Sequence, residues 1–285
     1  MTATHRAITE VARNGDAART EPAWEGAPSE IQNRGPAFHA RTYLIDRIFR
    51  RLRPHLLLDI GCGRGYVTAV AARHARRVVA TDVAPGAARA TRELLSAHPN
   101  AGVVVADVLA RGEAGAWGRG AAFDAILLSE VLEHLEDDRA ALRTCRDLLA
   151  EGGCLVLTVP SDPSLWTRWD DLAGHRRRYT RRELVRKVDA AGFRVRQVIN
   201  WGFPVTGWLA VRGARMRSRR VLEGSPGGEV PSAIARLLPV GSLFFKLAAR
   251  IEPLFSSLDR GAGYVVVAER LPAGAQQEHV LDEAA

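Results

Sequence analysis

The chain has 285 residues, 47% of them hydrophobic, and a formal net charge of +8; that is room for one α/β domain with extensions and a full core. Its three cysteines, Cys62, Cys145 and Cys154, form no CxxC pair and no even framework, which argues against a disulfide-stapled secreted fold and for a reducing, cytoplasmic setting. Only Lys187 and Lys246 are lysines, so the positive charge is arginine spread along the chain, a compositional trait rather than a nucleic-acid-binding patch.

Residues 1–36 are rich in Ala, Gly, Pro and charge and are expected to be a flexible leader; lacking an apolar core segment, they do not resemble a signal peptide. Helical spacing begins near Phe38, with Tyr43, Leu44, Ile48 and Leu52 on one face, and Pro54 ends it. Five short apolar runs follow, at 55–60, 77–82, 102–107, 123–130 and 154–160. They are rich in Val, Ile and Leu with little polar alternation, as parallel strands covered on both faces require. Between them lie helix patterns with end signals: Asp137 as N-cap and Gly152 past the end of 137–150, and a capping box from Thr180 to Glu183 closed by Gly192. Strand and helix alternation of this kind predicts a doubly wound, mostly parallel sheet. A strand at 193–200 is followed by about sixty residues without one, and 263–270 is a strand again. No run of about 18 uncharged apolar residues is present to span a membrane.

The most informative stretch is 56–66, LLLDIGCGRGY. A strand ends at Asp59 and Ile60, and Gly61, Gly63 and Gly65 form a tight loop into a helix, where the backbone must turn sharply and approach a ligand closely. Ligands of open α/β sheets sit at the carboxyl ends of strands. Asp82, with Val83 after it, ends the next strand, where a carboxylate can accept from both ribose hydroxyls. Asp107, with Val108, ends the third, where one can accept from an adenine amino group. Each acid alone could be a turn residue; three in succession behind a GxGxG loop form a nucleoside site. NAD is the rival ligand, but its G-x-G-x-x-G fingerprint would place glycine where Tyr66 stands. An aspartate two residues before the first glycine repels a pyrophosphate and favours the ammonium and sulfonium of S-adenosylmethionine (SAM).

These segments, with 123–135 (FDAILLSEVLEHL), resemble motifs I to IV of the class I SAM-dependent methyltransferases, particularly the small-molecule group. The resemblance covers roughly 38–200 and returns at 263–270. It implies a Rossmann-like methyltransferase fold of seven strands, the last antiparallel, within a domain at 37–271, and a tail at 272–285. It also implies SAM as cofactor, with Gly61, Gly63 and Gly65 along the methionine portion, Asp59 near the amino-acid end, Asp82 on the ribose, Asp107 and Val108 at the adenine, and Ser129 near the methyl group.

Methyl transfer needs chiefly in-line positioning, because the sulfonium is already activated; a base matters only where the nucleophile must lose a proton. Candidates lie in 166–179, which leaves the sheet on the carboxyl side: His175 as base, Tyr179 orienting the acceptor, and Arg176 to Arg178 pairing with an acidic substrate group or, alternatively, with Asp170 and Asp171. His134 has the plain alternative of a structural histidine. No cluster of metal-ligand spacing is evident along the chain, so the reaction is expected to need no metal. The insertion 201–262 is expected to form a helical cap. Trp201, Phe203, Pro204 and Trp208 would supply apolar walls, and Phe244, Leu247, Ile251, Phe255 and Leu258 recur at helical spacing. The sequence thus predicts an enzyme of specialised metabolism methylating a small-molecule acceptor, most simply an oxygen of an apolar or aromatic metabolite. It predicts no nucleic-acid partner and leaves peripheral membrane contact open. The alternatives are nitrogen or carbon methylation, or a SAM-binding regulator without turnover.

Overall fold

The computed structural model describes residues 35–110, 123–222, 244–245 and 247–272, with the backbone alone given for 217–222. The expected leader and tail lie almost wholly outside these residues, as does the middle of the insertion. Helix α1 (Pro36–Leu52) leads into β1 (Leu56–Ile60), α2 (Tyr66–Ala72), β2 (Arg77–Asp82), α3 (Pro85–Leu94) and β3 (Ala101–Val105). Then follow β4 (Phe123–Ser129), a 3-10 turn at Leu132–His134, α4 (Asp138–Leu148), β5 (Leu149–Pro160), α5 (Arg168–Leu172), α6 (Arg181–Ala190) and β6 (Phe193–Trp201). Helix α7 (Thr206–Leu222), a 3-10 helix at Glu252–Leu258 and β7 (Gly263–Arg270) complete the described chain.

The seven strands form one sheet in the order β3-β2-β1-β4-β5-β7-β6. The pairings from β3 across to β5 are all parallel, and β7 runs antiparallel between β5 and β6. The reason that the strands read as unbroken apolar runs is visible in β1, where Leu57 and Leu58 are both fully buried but in different cores. Leu58 packs with Leu142 and Cys145 of α4 and Leu184 of α6; Leu57 packs on the other face with Leu44, Ile45 and Phe49 of α1. Burying each such side chain stabilises the fold by about 1.5–3 kcal/mol.

The end signal holds at α4, where Asp137 accepts from the amide of Ala140 at 2.8 Å; at α6 only the N-cap half of the expected box forms, Thr180 accepting from the amide of Glu183 at 3.2 Å while the Glu183 carboxylate pairs with Lys187. One boundary differs. Helix α4 stops at Leu148 and β5 starts at once, with an irregular register before Cys154; Gly152, at φ +74°, belongs to that irregular strand and not to the helix end. Leu149 closes the helix with its amide donating to the carbonyls of Cys145 and Arg146 and is itself already extended, pairing with Phe123, so the helix ends without a glycine.

Candidate functional site

The carboxyl ends of β1, β2, β4 and β5 open on one edge of the sheet, and the loop after β1 starts the site. Gly61, Gly63 and Gly65 all adopt left-handed backbone, with φ +73°, +55° and +79°. Their surroundings differ. A Cβ on Gly61 would lie 2.5 Å from Val131, and one on Gly65 2.8 Å from Thr91, whereas one on Gly63 would meet nothing within 4 Å. The first and third glycines let protein pack against the loop; the middle one faces open space, as a ligand cradle requires. The loop is held by the amides of Gly61 and Cys62 donating to the carbonyl of Thr81, and by Thr91 Oγ1 donating to the carbonyl of Gly63.

Asp82 is tied to that loop directly. Its Oδ2 accepts from the amide of Gly63 at 2.8 Å and its Oδ1 from that of Ala84 at 2.9 Å. Burial raises its carboxyl above the ordinary range, against the pull of those amides. With the amide of Val83 also close, three of the carboxylate's roughly four acceptor positions are engaged by backbone, which leaves room for a ligand hydroxyl. Val83 beside it is exposed on the same edge. Asp59 is buried, and its Oδ2 accepts from Thr68 Oγ1 at 2.6 Å. Burial pushes its carboxyl up to about 7, with the Thr68 bond opposing and the Asp82 charge adding to the rise. Asp107 stands half-buried just past β3, which the amide of Ala106 joins to the carbonyl of Asp82 at 3.0 Å. Val108 packs into the core and Ser129 bonds Thr158 at 3.1 Å.

Over β4 and β5 lies a second group, in which the sequence marks the histidines, the arginines and Asp170 but not Glu133. His175 is there, with Nδ1 2.8 Å from Asp170 Oδ1. Asp170 is wholly buried and also takes a two-pronged bond from Arg178, at 2.8 and 3.0 Å, plus two from Thr167. Burial works against its ionisation, but the bonds from His175 and Arg178 hold it well below the ordinary carboxylate range. The ring of His134 meets that of His175 edge-on at 4.9 Å, and its Nδ1 lies 3.3 Å from the carbonyl of Gly174. Burial, then the neighbouring His175, lowers the His134 pKa. Glu133 is fully buried beside them, and neither carboxylate oxygen has a hydrogen-bond partner. Burial first and the nearby Glu130 second push its carboxyl well up. Glu130 itself takes φ +56°, accepts from Thr158 Oγ1 at 2.9 Å and pairs with Arg41 of α1 at 3.2 Å.

Two expectations need correction. Tyr179 does not face an acceptor: it is wholly buried, and its hydroxyl donates toward the carbonyl of Leu132 and Asp138 Oδ2. Protein on every side leaves the ring no route to the site. The three arginines are likewise spent within the protein, Arg178 on Asp170 as the alternative reading has it and the other two on neither Asp170 nor Asp171. Arg176 bonds the carbonyl of His134, Arg177 bonds those of Leu135 and Glu136 and pairs with Asp138, and Arg178 holds Asp170. Arg176 and Arg177 lace the 132–138 segment to the loop after β5, Arg178 fixes Asp170 within that loop, and His134 and His175 are thereby brought together. The expected apolar walls divide as well: Trp201 sits in the core, while Trp208 is exposed on α7, which packs against α5 and α1. Residues 223–243 of the expected cap lie outside the described residues. No sequence periodicity could have paired Glu133 with His175, since about forty residues of chain separate them and long-range contacts of the arginines, Tyr179 and His134 close that distance.

A methyltransferase-domain family profile matches residues 36–198. A ubiquinone biosynthesis O-methyltransferase of Xanthomonas axonopodis pv. citri is 35% identical over 120 residues, which are 40% of this chain and 48% of the relative. The chain thus matches about half the length of that curated relative. Among solved structures, the N-methyltransferase NodS of Bradyrhizobium japonicum WM9, in complex with S-adenosyl-L-homocysteine, superposes with a TM-score of 0.54 at 17% identity, covering 95% of this chain and all of that one. The [4+2]-cyclase SpnF superposes with a TM-score of 0.56 at 18% identity, covering 94% and 92%. At such identities these likenesses speak to the fold alone.

Proposed function

The chain belongs to the class I SAM-dependent methyltransferases, and on that premise we propose that it transfers the SAM methyl group to an oxygen of a small, apolar or aromatic acceptor. The observation that carries the reading is the Gly63–Asp82 pair: a left-handed glycine with free space before it, bonded to a carboxylate at the end of the next strand. The residues present suit the cofactor. Gly63 leaves room for its methionine portion, and Asp82 retains acceptor room for a ribose hydroxyl. Asp59, buried with its carboxyl raised by that burial, would complement its ammonium in the ionised form. Asp107, Val108 and Ser129 take the adenine and methyl ends by the same assignment. SAM supplies an activated sulfonium methyl, so the protein's task is alignment.

The curated relative's O-directed activity supports an oxygen acceptor, and the exposed apolar side chains of Trp208 and Met216 on α7 and of Phe255 before β7 support an apolar one. An oxygen nucleophile must shed a proton. His175 is the residue we place at that step, because Asp170 engages its Nδ1 and leaves Nε2 to act on the acceptor. The test is transfer of labelled methyl from SAM to a panel of phenols, aliphatic alcohols and amines. Label in a phenol or alcohol, reduced roughly 10²–10⁴-fold by His175→Ala with cofactor affinity unchanged, is the expected result. Transfer to amines alone would overturn the oxygen assignment.

A further inference from the structure

We propose that Glu133, His134 and His175 bind a divalent metal ion of the zinc class, with coordination positions left open toward the acceptor. One donor atom from each of the three lies within 4.8 Å of the others. Ligands about 2.0–2.2 Å from a tetrahedral ion sit roughly 3.4 Å apart, so small side-chain movements close the set.

Two independent features point to a cation and not to a chance cluster. The first is Glu133. It is fully buried with both carboxylate oxygens unbonded, although buried polar groups in folded proteins almost always find partners. Protonation would not repair this, because the acid would keep an unused donor and unused acceptors. A metal ion satisfies the group directly. The second is the orientation of both imidazoles. Histidines that bind a metal through one ring nitrogen characteristically donate the other to a carboxylate or a backbone carbonyl. Here Nδ1 of His175 is on Asp170, itself fixed by Arg178, and Nδ1 of His134 is on the carbonyl of Gly174. The Nε2 atoms are thereby left as the ligands.

The donor set selects the ion. Two imidazoles and one carboxylate suit zinc and its first-row neighbours, whereas magnesium and calcium prefer all-oxygen shells. Three protein ligands are the number found at catalytic sites that keep a position for water or substrate. The inference rests on the proposed oxygen-directed reading and deepens it: with metal bound, His175 would help hold a cation that acidifies the acceptor hydroxyl, and the proton would leave to solvent rather than to the imidazole.

The test uses the full chain, freed of metal with chelator and titrated with cobalt(II), whose visible absorption reports ligand geometry. The expected result is one cobalt per chain, displaced by zinc and not by magnesium, with affinity reduced at least tenfold in both Glu133→Gln and His175→Gln. Glu133→Gln exchanges a buried, unpartnered carboxyl for an amide of nearly the same shape, so without metal it should melt close to wild type and should lose the metal-induced rise. His134→Asn provides a further variant with the same expected loss of cobalt. Cobalt binding of equal affinity in wild type and the variants, or none in wild type, would overturn the proposal. S-adenosylhomocysteine binding is measured on the same samples: its absence from wild type would sink the methyltransferase reading by itself, whatever the cobalt result.

Discussion

At the scale of single residues, the glycine loop separates packing from binding. Gly63 and Gly65 both hold left-handed backbone, which costs a non-glycine residue about 1–2 kcal/mol. Only at Gly65 would a methyl group also overlap Thr91; at Gly63 it points into the open cradle. Gly65→Ala should therefore lower the melting temperature more than Gly63→Ala. Gly63→Ala should lose more cofactor affinity, and calorimetry with thermal scans on the pair checks the crossover. Asp59 adds a pH signature. Its folded pKa of about 7 lies above its ordinary 3.8, so the protonated form favours folding. That contribution is complete below about pH 4 and is lost as pH rises through about 7. Asp59→Asn should flatten the fall in stability between those values in denaturant titrations of the ligand-free protein; an unchanged slope would show that other groups govern it.

At the scale of elements, the loop after β5 is legible in the sequence as a place and illegible as a geometry. Its exit from the carboxyl edge follows from the strand pattern of 154–160, and His175 from its position in that loop. What the sequence hides is that Asp170 organises the segment. Asp170 accepts from Thr167, His175 and Arg178 while being fully buried. An acid beside three arginines has many partners in one dimension and only one arrangement in three. Tyr179 misleads for the same reason: in the linear chain it adjoins His175, but residue 179 faces the core, where its hydroxyl reaches Asp138. Breaking one member of a buried ion pair strands the other, typically at about 3–5 kcal/mol. Asp170→Asn should thus destabilise the protein by about that amount, read by urea unfolding. A loss below about 1 kcal/mol would mean that Arg178 and His175 hold their places without it.

At the scale of the whole molecule, the strands are predictable because most are buried on two faces and announce themselves as continuous apolar runs. The antiparallel direction of β7 comes from family resemblance and not from the residues of the strand, for periodicity carries no information on how a returning strand joins a sheet. The insertion is the part least accessible to such reasoning. Its apolar residues Phe244, Leu247, Ile251, Leu254 and Leu258 are exposed in the described chain, and among the described residues no helix is long and apolar enough to cross a membrane. An apolar stripe serves a lid or a bilayer surface equally well. Both ends of the insertion are tied to the sheet by β6 and β7, which favours the lid. We therefore expect slower hydrogen exchange in 244–258 when an acceptor binds. Sedimentation with anionic liposomes at physiological salt, abolished by Phe244→Asp with Ile251→Asp while the fold survives, would point to the membrane instead.

The central claim is that the carboxyl edge of β1 and β2 binds SAM, and titration calorimetry of SAM into wild type and Asp82→Ala tests it most directly. Charge-assisted hydrogen bonds to the ribose are worth about 1.5–3 kcal/mol each. The predicted result is one saturable site in wild type, affinity at least about tenfold weaker in Asp82→Ala, and no heat with NAD. No binding of SAM to wild type, or equal affinity in the two proteins, would contradict it.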